Sequence, residues 1–204
     1  IIDATDYGLE IEAVECKAAT PAEALSASAL VQVGVDVYAE FAPTGDLSRM
    51  TDALRRAGAA AKIRTGGATA DAFPASRDVL SFLRACRKAG LRFKATAGLH
   101  HAVRGEYRLT YEPGAPVGTM YGFLNIAMAA AFSWFDRDDE IVLAVLEERE
   151  QDAFEFTDAG GSWRGKRLTR DQLYEVRREF FVGFGSCSFS EPMAEVGLQP
   201  VPRA

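Results

Sequence analysis

The chain has 204 residues, 48% hydrophobic and 25% charged, proportions of a folded chain with room for one or two domains. A formal net charge of −6 argues against a dedicated nucleic-acid binder, yet leaves room for a local basic pocket that takes a small anion. No run approaches the roughly 18 apolar residues of a membrane span, and no basic-then-apolar signal opens the chain, so no membrane partner is expected.

The chain opens at Ile1 rather than at methionine, and residues 1–7 give no clear element. Leu9–Lys17 reads as a strand. Thr20, Pro21 and Glu23 then supply an N-cap, an N1 proline and a capping-box glutamate, predicting a helix to about Val33 that Gly34 closes. Val35–Phe41 is the second strand, and a helix over Leu47–Ala57 ends at Gly58. Ala60–Thr65 is the third. Pro74 and Ser76 open a helix with apolar residues at Val79, Leu80, Leu83 and Cys86, closed by Gly90. Leu91–Ala97 is the fourth strand. Strand, capped helix and glycine, repeated three times, specify βαβ units with right-handed crossovers and a parallel sheet.

The remainder is less regular. Gly98–Tyr121, rich in glycine and proline, reads as a long loop and a lid over the strand ends. Gly122–Phe135 is an apolar helix whose stripe of Phe123, Phe132, Trp134 and Phe135 belongs to the core. Asp139–Gln151 is an acidic-sided helix, with Glu147, Glu148, Glu150 and Asp152 read as a solvated run. Phe154–Phe156 and Ser162–Arg167 suggest a hairpin around Gly160 and Gly161. Thr169 and Gln172 make a second capping box for a helix to about Phe180. Phe181–Phe189 is a last strand, and Ser190-Glu191-Pro192 begins a short helix.

The expected organisation is one α/β domain over 1–204. Regular βα repeats fill 9–104, an insertion of loop, helices and hairpin fills 105–180, and the last strand and helix fill 181–204. A complete eight-stranded barrel takes about 250 residues, and only five or six strands are visible here. Three architectures compete: a TIM-barrel-like (β/α) fold whose first strands lie upstream, an open doubly wound sheet, and a half-barrel completed in a homo-oligomer. The partial barrel with a missing or shortened N-terminal part is the expectation.

In parallel α/β folds the active site lies at the carboxyl ends of the strands. Those ends carry Cys16 and Lys17, then Glu40, then Lys62, Arg64, Thr65 and Gly66, then Lys94, Thr96 and Gly98, with His100 and His101 beyond. Period 2 puts Lys62 with Arg64, and Lys94 with Thr96, on one face each. Lysines inside parallel strands are unexpected, because such strands are normally buried on both sides. One reading is an amine whose pKa is lowered by desolvation and a second cation, making it nucleophilic. The other is a pair of lysines that reach solvent or pair with Glu40.

At the last strand, Gly183 and Gly185 allow close backbone approach, and the helix begun by Ser190 offers an N-terminus to an anion. Arg64 and Arg104 would add charge to such a site. His100 or His101 suits general acid–base work. The two are adjacent on an extended segment and point opposite ways, and no Cys-x-x-Cys or His-x-x-x-His spacing occurs, so no metal is expected. Cys187 reads as a nucleophile or, more commonly for its type, a small buried thiol. No Gly-x-Gly-x-x-Gly or P-loop is present, so no nucleotide cofactor is expected. Three widely spaced cysteines, Cys16, Cys86 and Cys187, fit a soluble protein of the reducing cytoplasm.

Val37–Gly67 with Phe93–Gly98 resembles the late-barrel core of class I aldolases of the deoxyribose-phosphate aldolase type. Glu40 resembles the glutamate that ends one strand in that family. Lys62, followed by Thr65-Gly66-Gly67-Ala68-Thr69, resembles the Schiff-base lysine and its loop. Lys94, in Lys94-Ala95-Thr96-Ala97-Gly98, resembles the partner that depresses that lysine's pKa. Gly185-Ser186-Cys187-Ser188 is similar to the last-strand turn that holds a substrate phosphate. The match covers about a third of the chain. Arg64 stands where the family has a small residue, and the histidine pair is foreign to the pattern.

The resemblance implies a lysine Schiff base with a small anionic carbonyl substrate: Lys62 as nucleophile, Lys94 as the second cation, Glu40 in proton transfer, and Arg64, Gly185 and Ser186 on the anion. The residues alone leave two further readings open. One is an isomerase or transferase in which Lys62, Arg64 and Lys94 clamp the substrate and His100 moves protons. The other is a non-catalytic small-ligand-binding or oligomeric protein.

Overall fold

The computed structural model describes residues 11–188 and 190–197; Leu9 and Phe189, read above as strand ends, lie outside the described residues. The chain runs β1 (Ala13–Lys17), α1 (Pro21–Ser26), α2 (Ser28–Val31), β2 (Asp36–Glu40), α3 (Leu47–Ala57), β3 (Ala60–Arg64), α4 (Ser76–Ala89) and β4 (Phe93–Thr96). There follow β5 (Gly105–Arg108), β6 (Val117–Met120), α5 (Phe123–Trp134) and α6 (Asp139–Glu147). The last elements are β7 (Phe154–Thr157), β8 (Gly160–Trp163), β9 (Lys166–Thr169), α7 (Arg170–Glu179), β10 (Phe181–Gly185) and α8 (Ser190–Glu195).

Five strands form one parallel sheet in the order β1-β2-β3-β4-β10. Each strand from β1 to β4 pairs with its successor through a helical crossover, as the repeats specify. The sheet is open, with β1 at one edge and β10 at the other. No helix among the described residues is long and apolar enough to cross a membrane.

Local signals account for these elements. Thr20 accepts a hydrogen bond from the Glu23 amide and Asp46 from the Arg49 amide, and Thr169 and Gln172 close a complete capping box. The helix expected over 21–33 is two short pieces broken at Ala27. Ser26 donates to Glu23 O and the Ala27 amide bonds Ala24 O, so the turn tightens to three-residue spacing there.

One face of the sheet is apolar. Val37, Ala39, Ala61, Ile63, Phe93 and Ala95 are buried in a core that includes Leu54, Phe82, Leu83 and Cys86 of the covering helices. Phe41, Phe82, Phe93 and Phe180 make a chain of ring contacts with centroids 5.3, 5.4 and 4.9 Å apart. The same core takes in Phe132 of α5 and Trp163 of β8.

Three expectations need correction. The segment 98–121 is not a plain loop: β5 and β6 pair antiparallel within it. Their sequences, Gly-Glu-Tyr-Arg and Val-Gly-Thr-Met, hold few strand formers, which hides the alternation. The hairpin after α6 is a three-stranded meander, because Arg164 and Gly165, at φ 45° and 75°, make a tight turn that returns β9 onto β8.

Glu148 is not part of a solvated run. It is 7% exposed and accepts hydrogen bonds from Trp163 Nε1, Arg164 and the amides of Arg149 and Glu150. Four donors around one carboxylate offset the cost of burying it.

Candidate active site

The face of the sheet opposite the apolar one carries charge in register. Lys17, Glu40, Lys62, Lys94 and Gly183 lie side by side across the five strands, and Arg64, Thr96 and Gly185 form the next row toward the carboxyl edge. Thus Glu40, Lys62, Lys94, Arg64, Thr96 and Gly185, all singled out from the sequence, share two adjacent rows of one face.

Their electrostatics run against a poised amine. Lys62 Nζ lies 2.8 Å from Glu15 and 2.9 Å from Glu40, with its side chain 13% exposed. Burial pulls the Lys62 pKa down, but hydrogen bonds to Glu15 and Glu40 and the charge of both carboxylates outweigh it and raise the pKa above the usual lysine value. The direction needed for a nucleophilic amine is the reverse. Lys94 Nζ sits 4.0 Å from the centroid of the Tyr38 ring and 3.9 Å from Glu15, so it too is compensated.

The loops beyond this face are framework. The Thr65 amide donates to Thr96 O at 2.8 Å and its buried hydroxyl to Ala97 O at 2.8 Å, pinning the end of β3 to the turn after β4. That turn is left-handed at Ala97 (φ 69°) and Gly98 (φ 74°). A Cβ at Gly66 would fall 2.5 Å from the Phe73 ring and 3.1 Å from the Gly98 Cα, so these two loops touch only because both residues are glycine. Thr65 and Gly66 therefore shape the rim, and the Thr65 hydroxyl is engaged with backbone.

The turn delivers His100 to the carboxyl edge, against the turn that follows β10. Ser186 Oγ lies 3.1 Å from His100 Nδ1 and accepts from the Ser188 amide at 3.3 Å. Cys187 Sγ is 3.5 Å from Nδ1 and 3.7 Å from Nε2 of the same ring. Glu191 Oε2 is 3.7 Å from Nδ1 and accepts from Tyr111 Oη at 2.8 Å, while Tyr111 Oη also lies 3.5 Å from Cys187 Sγ. Burial lowers the His100 pKa; the Glu191 carboxylate opposes this and His101 adds to it, so the ring gives up its proton more readily than a free imidazole.

Gly67, Ala68, Thr96, Gly98, His100, Gly185, Ser186 and Cys187 line a cavity of about 310 Å³ beside this cluster. Thr96 Oγ1 is buried and, among the described residues, has no hydrogen-bond partner. Arg64 lines a second, wider cleft of about 770 Å³ on the other side of the Gly66-Gly67 loop, together with Lys17, Glu40, Asp46 and Asp71. Its guanidinium reaches to 3.5 Å from where a Gly67 Cβ would stand. The smaller cavity is the better candidate, because His100, Ser186 and Cys187 all line it.

Other expected residues serve elsewhere. Ser188 Oγ accepts from the Glu191 amide and so caps α8, a helix whose first turn already carries the Glu191 carboxylate. Arg104 lies over the Tyr121 ring at 4.6 Å. His101 stacks on Tyr107 at 3.5 Å and bonds Glu195 at 2.6 Å.

Cys187 is exposed rather than buried, and Tyr111 and Glu191 join it from positions with no sequence motif. Tyr111 is 76 residues from Cys187, so only the folded chain brings them together. Among the described residues no three His, Cys, Asp or Glu side chains are grouped to hold a metal ion. No protein-family model, curated protein or solved structure matches this chain.

Proposed function

We propose that this chain is a small-molecule enzyme on part of a (β/α) barrel, in which His100 moves protons on a small carbonyl substrate held in the cavity that His100 lines. The observation that carries the reading is the position of the His100 ring, at the carboxyl edge of the sheet, on the wall of a cavity and beside Ser186 and Cys187. A neutral imidazole accepts a proton from carbon or oxygen and returns it elsewhere on the substrate. The β5–β6 hairpin carries Tyr111 to the same cluster, the position of a lid.

Deuterium uptake tests this directly. Small phosphorylated and carboxylated aldehydes and ketones, incubated with the protein in heavy water, are expected to exchange a carbon-bound proton at a rate that falls about 10²- to 10⁴-fold in His100→Gln. Exchange unaffected by His100→Gln, or none from any compound in folded protein, overturns the reading.

The imine chemistry that the aldolase resemblance implies requires Lys62 to give up its proton, which Glu15 and Glu40 oppose. Borohydride reduction in the presence of the same compounds, followed by intact-mass analysis and peptide mapping, is expected to leave Lys62 unmodified. A stable adduct on Lys62, lost in Lys62→Ala, would restore the Schiff-base reading.

A further inference from the structure

We infer that Cys187 is the nucleophile of this site, adding its sulfur to the carbonyl carbon of a small aldehyde. The inference rests on the reading of His100 as the proton-transfer group and extends it to a covalent step.

The geometry supplies each part. Cys187 Sγ is exposed, lines the cavity and lies within reach of both imidazole nitrogens. With Nδ1–H donating to Ser186 Oγ at 3.1 Å, the Nε2 lone pair is the acceptor that remains for the thiol at 3.7 Å. Glu191, 3.7 Å from Nδ1, stabilises the imidazolium once it forms. A thiol, a base beside it and a third group behind the base form the general arrangement of an activated nucleophile. Cys86 shows the contrast: it is fully buried in α4, and burial pushes its thiol pKa far up.

The step balances without a further reagent. The thiol proton passes to His100 Nε2, and a sulfur electron pair forms the S–C bond. The C=O π pair moves to oxygen, and the imidazolium returns the proton to that oxygen. The product is a hemithioacetal, with no leaving group, no oxidant and no reductant.

Alkylation of the whole chain by iodoacetamide at neutral pH, followed residue by residue by peptide mass, gives the test. Cys16, exposed on β1, is the internal reference, and an unreactive Cys86 reports that each variant is folded. Cys187 is expected to react about 10-fold or more faster than Cys16, and His100→Gln is expected to remove that advantage. Glyoxylate, a small and reactive aldehyde, is expected to slow alkylation of Cys187 reversibly. Cys187 reacting no faster than Cys16, or no slowing by glyoxylate, overturns the inference.

The two readings fail separately. Proton exchange that needs His100 but survives Cys187→Ala sinks the nucleophile and keeps the proton transfer. A fast, glyoxylate-protected Cys187 in a protein that exchanges no substrate proton sinks the proposed proton transfer and leaves the thiol adduct standing.

Discussion

Replacing Asn125 with alanine is expected to lower stability by about 4 kcal/mol, the sum of several buried polar groups left unpaired. Asn125 is fully buried within the apolar helix α5. Its Nδ2 donates to Val145 O at 2.7 Å and to Glu148 O at 2.8 Å, and its Oδ1 accepts from the Arg104 amide at 2.8 Å. One side chain thus closes the end of α6 and anchors the approach to β5. Alanine strands all three groups and opens a void; leucine refills the void and strands the same groups. Both variants are therefore expected to fall together in urea unfolding followed by circular dichroism. A loss under about 1 kcal/mol for alanine would show that water satisfies these groups without the amide.

Glu148→Ala is expected to cost about 3 kcal/mol, or roughly 6–12 °C in Tm for a chain of this size. Arg164 is exposed and turns to water when its partner is removed. The cost comes instead from Trp163 Nε1 and the amides of Arg149 and Glu150, which lose their acceptor. The same carboxylate sets a pH dependence. Burial alone would raise its pKa, but the hydrogen bonds from Arg164, the Glu150 amide, Trp163 and the Arg149 amide together hold it below the usual range. An unfolded glutamate titrates near ~4.3, so below that pH the unfolded chain binds the proton more readily. The contribution of Glu148 is complete above about pH 5 and is lost as pH falls through the lower folded value. Wild type should therefore lose stability faster than Glu148→Gln on acidification below pH ~5, and parallel pH profiles for the two proteins would remove Glu148 as the cause.

What the sequence could and could not reveal follows from the range of each interaction. Capping residues such as Thr20, Asp46 and Thr169 act within one helical turn, so the helices they start were readable. The parallel sheet was readable because each repeat carries its own strand, helix and glycine. Glu40, Lys62 and Lys94 were legible as a row, since strand ends and period 2 fix their face. Their charge balance was not, because Glu15 enters from β1 and turns a candidate nucleophile into an ion pair.

Glu148 misled for a related reason. Its neighbours Glu147 and Glu150 are exposed, and nothing nearby in the chain announces that Trp163 and Arg164 fold over it. Tyr111 and Glu191 meet Cys187 and His100 through loops whose lengths carry no periodic signal.

The join of β10 to β4 has a consequence for how the chain is made. All of residues 97–180 separate the two strands, yet Phe93 rests on Phe180 and Phe181. Closing a segment of that length is entropically costly, so this pairing forms after the contacts between near neighbours. At a ribosome's roughly 5–20 residues per second, the outer side of β4 waits about 4–17 s for its neighbour. Meanwhile β1 to β4 and the β7–β9 meander each have local partners. The turn bearing Ser186 and Cys187 comes directly after β10. Assembly of the reacting groups is therefore the closing act of folding, and a chain released before β10 has His100 but nothing for it to work with.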